Sequence, residues 1–236
     1  MYFHTNVAQF TGEYWPRLLK IKKFADIVEI RKVEMPKEIF GQKIKKSMRI
    51  FHGGDIARIR ILMEYGGIYL DNDSYIVKSL DKYRKFEMAI GWDQNVYLGT
   101  QLIVAHKNAR FLPMWLHTYD GAYYTNGWYF NAGQLPTILV LYKKPELVHR
   151  VKVLFGNDCG LIYKLFQEYW SGWKENYAFH LLGRRQHQNV LKSISPEAKY
   201  PVDFDEYNVQ KYPITFREMV NIVLDYEKNL RIVLHV

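Results

Sequence analysis

The sequence predicts an α/β fold in which a mostly parallel central sheet is flanked by helices. The chain of 236 residues is 48% hydrophobic and 16% aromatic, which is far too apolar for a disordered protein. Its N-terminal half alternates between strand-like and helix-like segments, as successive βα units do. The length suits one large domain, so we expect residues 1–236 to form a single domain.

The first segments follow one another in strand–helix–strand order. Residues 1–6 have the pattern of a strand. Residues 14–25 carry apolar positions at helical spacing, with Pro16 near the first turn, which favours a helix. Residues 26–33 alternate in polarity and predict a second strand. A connection that contains Pro and Lys residues, 34–47, follows.

The next helix and strand form the most informative stretch. The run HGGDIARIRILMEYGG begins at His52, and its apolar residues recur at helical spacing (Ile56, Ile59, Leu62 and Met63). Gly66 and Gly67 are typical of the end of a helix. Residues 68–70 are all apolar and predict a short buried strand that runs into Asp71.

The remainder of the chain continues the mixture of strands and helices. Strands are predicted over 86–92, 101–106 and 177–182. Helices are predicted from Asn108 onwards and over 135–141, 146–154, 161–170 and 215–227.

Charge and cysteine content restrict the classes of function. The net charge is +9, from 33 Lys and Arg residues against 24 Asp and Glu residues, which favours anionic partners. The basic residues are dispersed and do not alternate with aromatic residues, so we expect no nucleic-acid partner. The single cysteine, Cys159, excludes an intramolecular disulfide and a metal cluster built from cysteines.

Two carboxylates, Asp71 and Asp73, lie on either side of Asn72 where the strand 68–70 ends. Ligands of open α/β sheets bind at the carboxyl ends of strands, and two converging carboxylates suit Mg²⁺ or Mn²⁺. The same pattern also occurs in surface turns shaped by an Asn residue. The acidic pair is therefore a candidate metal site, with a solvated turn as the alternative.

Three further side chains are expected beside the acidic pair. Asp55 and Arg58 lie one helical turn apart at the edge of the apolar stripe, so both can reach the same crevice. Tyr69 lies on the same face of its strand as Asp71. Each has a structural alternative: Asp55 as a helix N-cap, Arg58 as its ion-pair partner and Tyr69 as a core residue.

The run H-G-G-D-I-A-R-I-R-I-L-M-E-Y-G-G-I-Y-L-D-N-D resembles the sugar-binding D-x-D region of glycosyltransferase family 32. Within that family it is most similar to the α1,4-galactosyl- and α1,4-N-acetylglucosaminyltransferases. The family pattern is filled here by Asp55, Arg58, Tyr65-Gly66-Gly67, Tyr69, Asp71 and Asp73. A weaker likeness continues through residues 128–136 to His180.

The resemblance implies a GT-A-type fold and a retaining hexosyltransferase that uses a nucleotide-diphosphate sugar, with UDP favoured over GDP. It implies that Asp73 coordinates Mn²⁺ (or Mg²⁺) directly and that Asp71 contacts the donor and assists the metal. Asp55 and Arg58 would hold donor-sugar hydroxyls, and Tyr69 would line the donor site. Asp71, Asp73 and Arg58 are thus the candidate catalytic residues. The acceptor would be a glycan or glycolipid, in the Golgi or elsewhere in the secretory pathway.

Residues near the C-terminal end of the resemblance could complete the site. His180 is similar to a family histidine that reaches the metal or the diphosphate, and a histidine at the core edge that bonds to backbone is the alternative. Arg184 and Arg185 could hold phosphate oxygens, although a solvated pair in a loop is the simpler interpretation.

A group of polar and aromatic residues could bind the acceptor sugar. The polar members are Asp93, Gln94, Asn131 and Gln134, and the aromatic members are Trp92, Trp128 and Tyr129. A sugar ring could stack on one of these aromatic faces, whereas the alternative is that the aromatic residues belong to the core.

The start of the chain departs from the family pattern. Family members carry another N-terminal strand–helix unit, whereas this sequence opens at Met1 inside the predicted sheet. We therefore expect an N-terminally truncated version of the fold, with membrane association only through a segment absent from this sequence. The alternative function is a catalytically inactive module that binds a nucleotide sugar or a glycan. A metal-dependent phosphoryl hydrolase ranks lower, because its nucleophilic Asp usually follows the first strand.

Overall fold

The N-terminal part forms a small parallel sheet with two short helices. The structure is a computed structural model that describes residues 1–182, 205–212 and 214–233. Strand β1 (Tyr2–Thr5) pairs in parallel with β2 (Glu29–Lys32). Between them lie helices α1 (Tyr14–Leu19) and α2 (Lys22–Ala25), so the single helix predicted over 14–25 is divided in two.

The long helix of the predicted site follows a short hairpin. Strands β3 (Glu38–Ile39) and β4 (Gln42–Lys43) form the hairpin, and α3 (Arg49–Tyr65) leads into β5 (Gly67–Leu70). Gly66 ends α3 with φ 65°, and a Cβ at this position would lie 2.7 Å from the backbone nitrogen of Lys107. Only glycine therefore allows the chain to turn so close to the neighbouring backbone, and the predicted end of the helix at this residue is confirmed.

The remaining elements build the central sheet and the C-terminal part. Strands β6 (Ser74–Ile76), β7 (Met88–Gly91) and β8 (Leu102–Ala105) precede helix α4 (Phe111–His117). Wide helical turns over Phe130–Gln134 and Thr137–Leu141 come next. The last elements are β9 (His149–Val151), α5 (Cys159–Gln167), β10 (Ala178–His180) and α6 (Ile214–Val233).

The helix predicted over 146–154 is wrong. Residues 149–151 form β9, which pairs in parallel with β7, so that Ala89 lies opposite His149. Pairing with a buried neighbouring strand outweighs the weak helical pattern of this segment, because β propensity depends mainly on tertiary context.

The central sheet has four strands in the order β5-β8-β7-β9. Strand β8 is antiparallel to both β5 and β7, and only the pairing of β7 with β9 is parallel. The mostly parallel sheet that the sequence predicts is therefore corrected to a mixed one, and a GT-A-type arrangement is not confirmed. The connection 92–101 between β7 and β8 is too short to hold a crossover helix, so it returns the chain antiparallel.

Strand β5 lies at the edge of this sheet. Ile68 and Leu70 are each 39% exposed, so the prediction of a buried strand is wrong. The apolar run alone could not distinguish an edge strand from a central one, since the strand order is set by residues far away in the sequence.

The largest apolar cluster fixes α3 against the sheet. Ile56 and Ile59 of α3 share this cluster with Trp115 of α4 and with Ile90 and Ile103 of the sheet, and each is fully buried. Each of these side chains stabilises the fold by roughly 1.5–3 kcal/mol through burial. In the parts of the chain that the structure describes, no helix combines the length and apolar character needed to cross a membrane.

Candidate active site

Helix α3 holds Asp55 and Arg58 in a buried ion pair. Both residues are 9% exposed, and Nη2 of Arg58 lies 3.2 Å from Oδ1 of Asp55. Nη1 of Arg58 donates to the carbonyl oxygen and to the hydroxyl of Thr100, at 2.7 and 2.9 Å. Asp55 lies in the interior of α3 rather than at its start, so the N-cap alternative is wrong.

The end of β5 brings Tyr69 and Asp71 to the same ion pair. The hydroxyl of Tyr69 donates to Oδ1 of Asp71 at 2.8 Å, and Nη1 of Arg58 lies 3.3 Å from the same oxygen. The guanidinium carbon of Arg58 is 4.9 Å from the centre of the Tyr69 ring, within the range of a cation–π contact. One arginine thus connects the carboxylates of α3 and β5.

A turn after β5 and the pairing of β6 with β10 place Asp73 next to His180. The N–H of Ser74 donates to the carbonyl of Asp71 at 3.0 Å and closes the turn. Strand β6 then pairs antiparallel with β10, with Ser74 opposite His180. Nε2 of His180 consequently lies 3.0 Å from Oδ1 of Asp73 and 3.8 Å from Oδ2 of Asp71.

Asp71, Asp73 and His180 could hold a metal ion. One possible ligand atom from each lies within 4.8 Å of the others, and their side chains are 22%, 39% and 19% exposed. Two carboxylates and an imidazole are a donor set for a divalent cation. Three protein ligands leave other coordination positions of a six-coordinate ion open, so the residues present fit a divalent cation.

Burial shapes the electrostatics of this site. Burial and the negative charge of Asp71 together raise the pKa of Asp55 to about 6, against the opposing effect of Arg58. Burial lowers the pKa of Arg58, but Asp55, Tyr69 and Asp71 together more than compensate, so its pKa is raised and it stays charged. Burial likewise raises the pKa of Tyr69, which therefore remains a hydrogen-bond donor to Asp71.

The structure thus brings together all six residues that the sequence singles out for donor and metal binding: Asp55, Arg58, Tyr69, Asp71, Asp73 and His180. Arg184 and Arg185 lie outside the described residues. The roles that the resemblance implies for these six side chains stay predictions.

The residues predicted to bind the acceptor differ in their exposure and in their hydrogen-bond partners. Trp92 is 5% exposed and belongs to the core. The side-chain amide of Asn131 bonds to the backbone N–H and carbonyl of Tyr124, and Asp93 accepts from the N–H of Val153, so both have structural partners. Trp128, by contrast, is 61% exposed.

Sequence reasoning missed two residues beside the ion pair. Thr100 accepts from Arg58 with two oxygens, but its place before β8 carries no pattern that would identify it. Tyr119 is fully buried, and its hydroxyl has no hydrogen-bond partner among the described residues. Burial and the nearby charge of Asp55 raise the pKa of Tyr119.

Comparisons with known proteins connect this geometry to sugar transfer. Residues 14–91 match the family described as a glycosyltransferase sugar-binding region containing a DXD motif, about a third of the chain. The match includes five of the six site residues and ends before His180. The chain is also 26% identical over 134 residues to "Glucan organizing enzyme 1" of Cryptococcus neoformans var. grubii serotype A.

That alignment covers 51% of this chain and 33% of the relative, so the chain spans about a third of the length of the relative. No solved structure matches the chain significantly. The two similarities support a relationship of this chain to the glycosyltransferases that carry a DXD motif.

Proposed function

We propose that this protein is a retaining glycosyltransferase of family 32. It transfers a sugar from a nucleotide-diphosphate donor, a UDP-sugar rather than a GDP-sugar, to a glycan or glycolipid with the assistance of Mn²⁺ or Mg²⁺. The convergence of Asp71, Asp73 and His180 beside the buried Asp55–Arg58 pair carries the proposal. The match of residues 14–91 to a DXD sugar-binding region supports it.

Asp71, Asp73 and His180 would hold the cation. When bound, a divalent cation supplies positive charge against the diphosphate as the sugar leaves. The 19–39% exposure of the three side chains leaves them accessible from solvent, so that diphosphate oxygens can approach the same point. The exposed side of the trio is therefore the diphosphate position.

Asp55 and Arg58 would position the transferred sugar. The guanidinium of Arg58 is occupied by Asp55, Asp71 and Thr100, so its part is to orient the two carboxylates. The carboxylate of Asp55 can then accept hydrogen bonds from sugar hydroxyls, which are strong when the acceptor is charged and buried. Tyr69 keeps Asp71 in place through its hydroxyl.

The proposed reaction exchanges one bond at the anomeric carbon. The bond from this carbon to the diphosphate oxygen breaks, and its electron pair stays on the diphosphate. The acceptor hydroxyl oxygen forms the new bond on the same face of the sugar, and its proton passes to the departing diphosphate. Positive charge that develops on the sugar ring, as in other glycosyl transfers, is stabilised by the carboxylates of Asp55 and Asp71. Action in the secretory pathway is part of the proposal and stays a prediction.

Thermal-shift titration with UDP- and GDP-sugars, with and without Mn²⁺, followed by an assay of donor hydrolysis, tests the proposal. We expect a shift that needs both a UDP-sugar and the metal, and slow release of the free sugar. Asp73→Ala should abolish both effects, whereas Asp120→Ala, a surface carboxylate, should change neither. Binding without hydrolysis or transfer would favour the inactive binding module instead.

A further inference from the structure

We propose that Phe51 and Trp128 form an exposed aromatic platform that binds a ring of the acceptor saccharide at the mouth of the site. Phe51 is 39% and Trp128 is 61% exposed, and their ring centres are 4.1 Å apart. This inference rests on the proposed function in that the bound saccharide is taken to be the acceptor.

The register of α3 connects the platform to the ion pair. Phe51 lies four residues before Asp55 and seven before Arg58, so the three share one face of the helix. Phe51 is at the exposed end of this face, and the other two are buried. Gly54, between them, has no Cβ, and a Cβ there would meet only Nη2 of Arg58, at 3.9 Å. The surface of α3 between platform and ion pair is therefore free of side-chain bulk.

His52 fixes the loop that carries Trp128. It is fully buried, with Nε2 3.1 Å from the carbonyl of Gly127 and Nδ1 2.7 Å from the hydroxyl of Tyr123. A carbonyl can only accept, so Nε2 carries the proton and Nδ1 accepts from Tyr123. Burial lowers the pKa of His52, in agreement with a neutral ring. The loop is thus held on α3 directly beside Phe51.

Tyr129, the residue after Trp128, is held in place by Leu98 and Gly133. The hydroxyl of Tyr129 donates to the carbonyl of Leu98, and its ring packs on Gly133, where a Cβ would lie 2.2 Å from the ring carbon Cζ. Burial and the charge of Asp55 raise the pKa of Tyr129. Tyr129 therefore anchors the loop immediately next to the exposed Trp128.

The size and chemistry of the platform favour a saccharide. The exposed parts of the two rings amount to roughly 200 Å², whereas a protein partner needs on the order of 800 Å² on each side. The two rings are inclined to each other by 60°, so the aliphatic C–H face of a sugar ring would stack on the more exposed indole of Trp128, with Phe51 at its side. Lys45 donates to the side-chain oxygen of Asn126 in the same loop, so polar groups suited to hydroxyls lie close by.

Calorimetric titration of three disaccharides, lactose, mannobiose and laminaribiose, in the presence of UDP and Mn²⁺ tests the platform. We expect at least one to bind, and Trp128→Ala and Phe51→Ala to weaken its binding at least tenfold. Trp128→Phe keeps an aromatic face and should stay within about threefold of the wild type. Tyr169→Ala removes another exposed aromatic, 70% exposed, and should have no effect.

Two results would overturn the platform: the failure of all three disaccharides to bind the wild type, or equal binding by the wild type and Trp128→Ala. If the wild type shows no thermal shift that depends on a UDP-sugar and Mn²⁺, the proposed transfer is overturned instead. In that case, disaccharide binding that still depends on Trp128 would leave the platform standing as a glycan-binding surface.

Discussion

Nε2 of His180 lies 3.0 Å from Oδ1 of Asp73, although the two residues are far apart in the sequence. Strand β10 pairs antiparallel with β6 directly after the acidic turn, and this pairing alone brings the imidazole to the carboxylates. This geometry supports the prediction that His180 is a ligand of a cation rather than a structural histidine at the core edge.

Replacement of His180 by Ala should weaken Mn²⁺ binding by at least about 10- to 100-fold, because loss of one of three direct ligands costs no less than loss of a residue that only supports a ligand. The measurement is the dissociation constant from paramagnetic resonance of free Mn²⁺. His117→Ala is the control, since His117 is on the surface with a side chain 75% exposed. An unchanged constant for His180→Ala would remove this residue from the site.

Replacement of Arg58 by Met should destabilise the protein by about 3–5 kcal/mol. It leaves the carboxylates of Asp55 and Asp71 without their shared cation in a buried place, and an unpaired buried charge is costly. Urea denaturation gives the free energy of unfolding. Arg110→Met, which breaks the more exposed pair with Glu87, should cost less than about 1 kcal/mol. Similar losses in both variants would contradict the buried network.

Asp55 should make stability depend on pH in the metal-free protein. Its pKa is about 6 in the folded protein, above the ordinary value of 3.8. Between these values the folded state binds the proton more tightly, so the free energy of unfolding falls as the pH rises from about 4 to about 6.

Relative to Asp55→Asn, the wild type should therefore lose up to about 3 kcal/mol across this interval. Urea denaturation of both proteins at several pH values, in a chelating buffer, measures the difference. A difference that stays constant from pH 4 to pH 6 would show that Asp55 is ionised in the folded protein throughout.

Replacement of Gly66 by Ala should destabilise the protein by about 2–3 kcal/mol and weaken the site. The positive φ already strains an Ala residue, and the Cβ also meets the backbone of Lys107. Gly41→Ala is matched in φ, at 73°, but has open space around its Cβ, so it should cost only about 1 kcal/mol. Thermal denaturation of the two variants separates the clash with Lys107, present only at Gly66, from the backbone strain, present at both positions. Equal losses of stability in the two variants would argue against the close approach.

The local part of the site could be predicted from the sequence. The apolar stripe of α3, its end at Gly66 and the acidic pair after β5 depend on residues close together in the chain, and periodicity and turn chemistry report on such neighbours. His180 depends on the pairing of β6 with β10, and only the family resemblance pointed to it.

The parts that could not be predicted depend on contacts over long distances. The antiparallel course of β8 and the edge position of β5 follow from strand order, which no local pattern encodes. Thr100 contacts Arg58 from a loop without a signature. Trp128 is one of several candidate aromatic residues in the sequence. Its exposure and the contact of its loop with His52 distinguish it from core residues such as Trp92.

The three candidate metal ligands, Asp71, Asp73 and His180, are divided between two ladders of backbone hydrogen bonds. The N–H of Asp71 donates to the carbonyl of Gln101 and continues the pairing of β5 with β8, whereas the carbonyl of Asp73 accepts from Leu181 and continues the pairing of β6 with β10. Fraying of either ladder separates the ligands while the apolar core persists. In a denaturant series we therefore expect Mn²⁺ to be released before the tryptophan fluorescence reports global unfolding, and amide hydrogen exchange in both ladders to slow together when the ion binds.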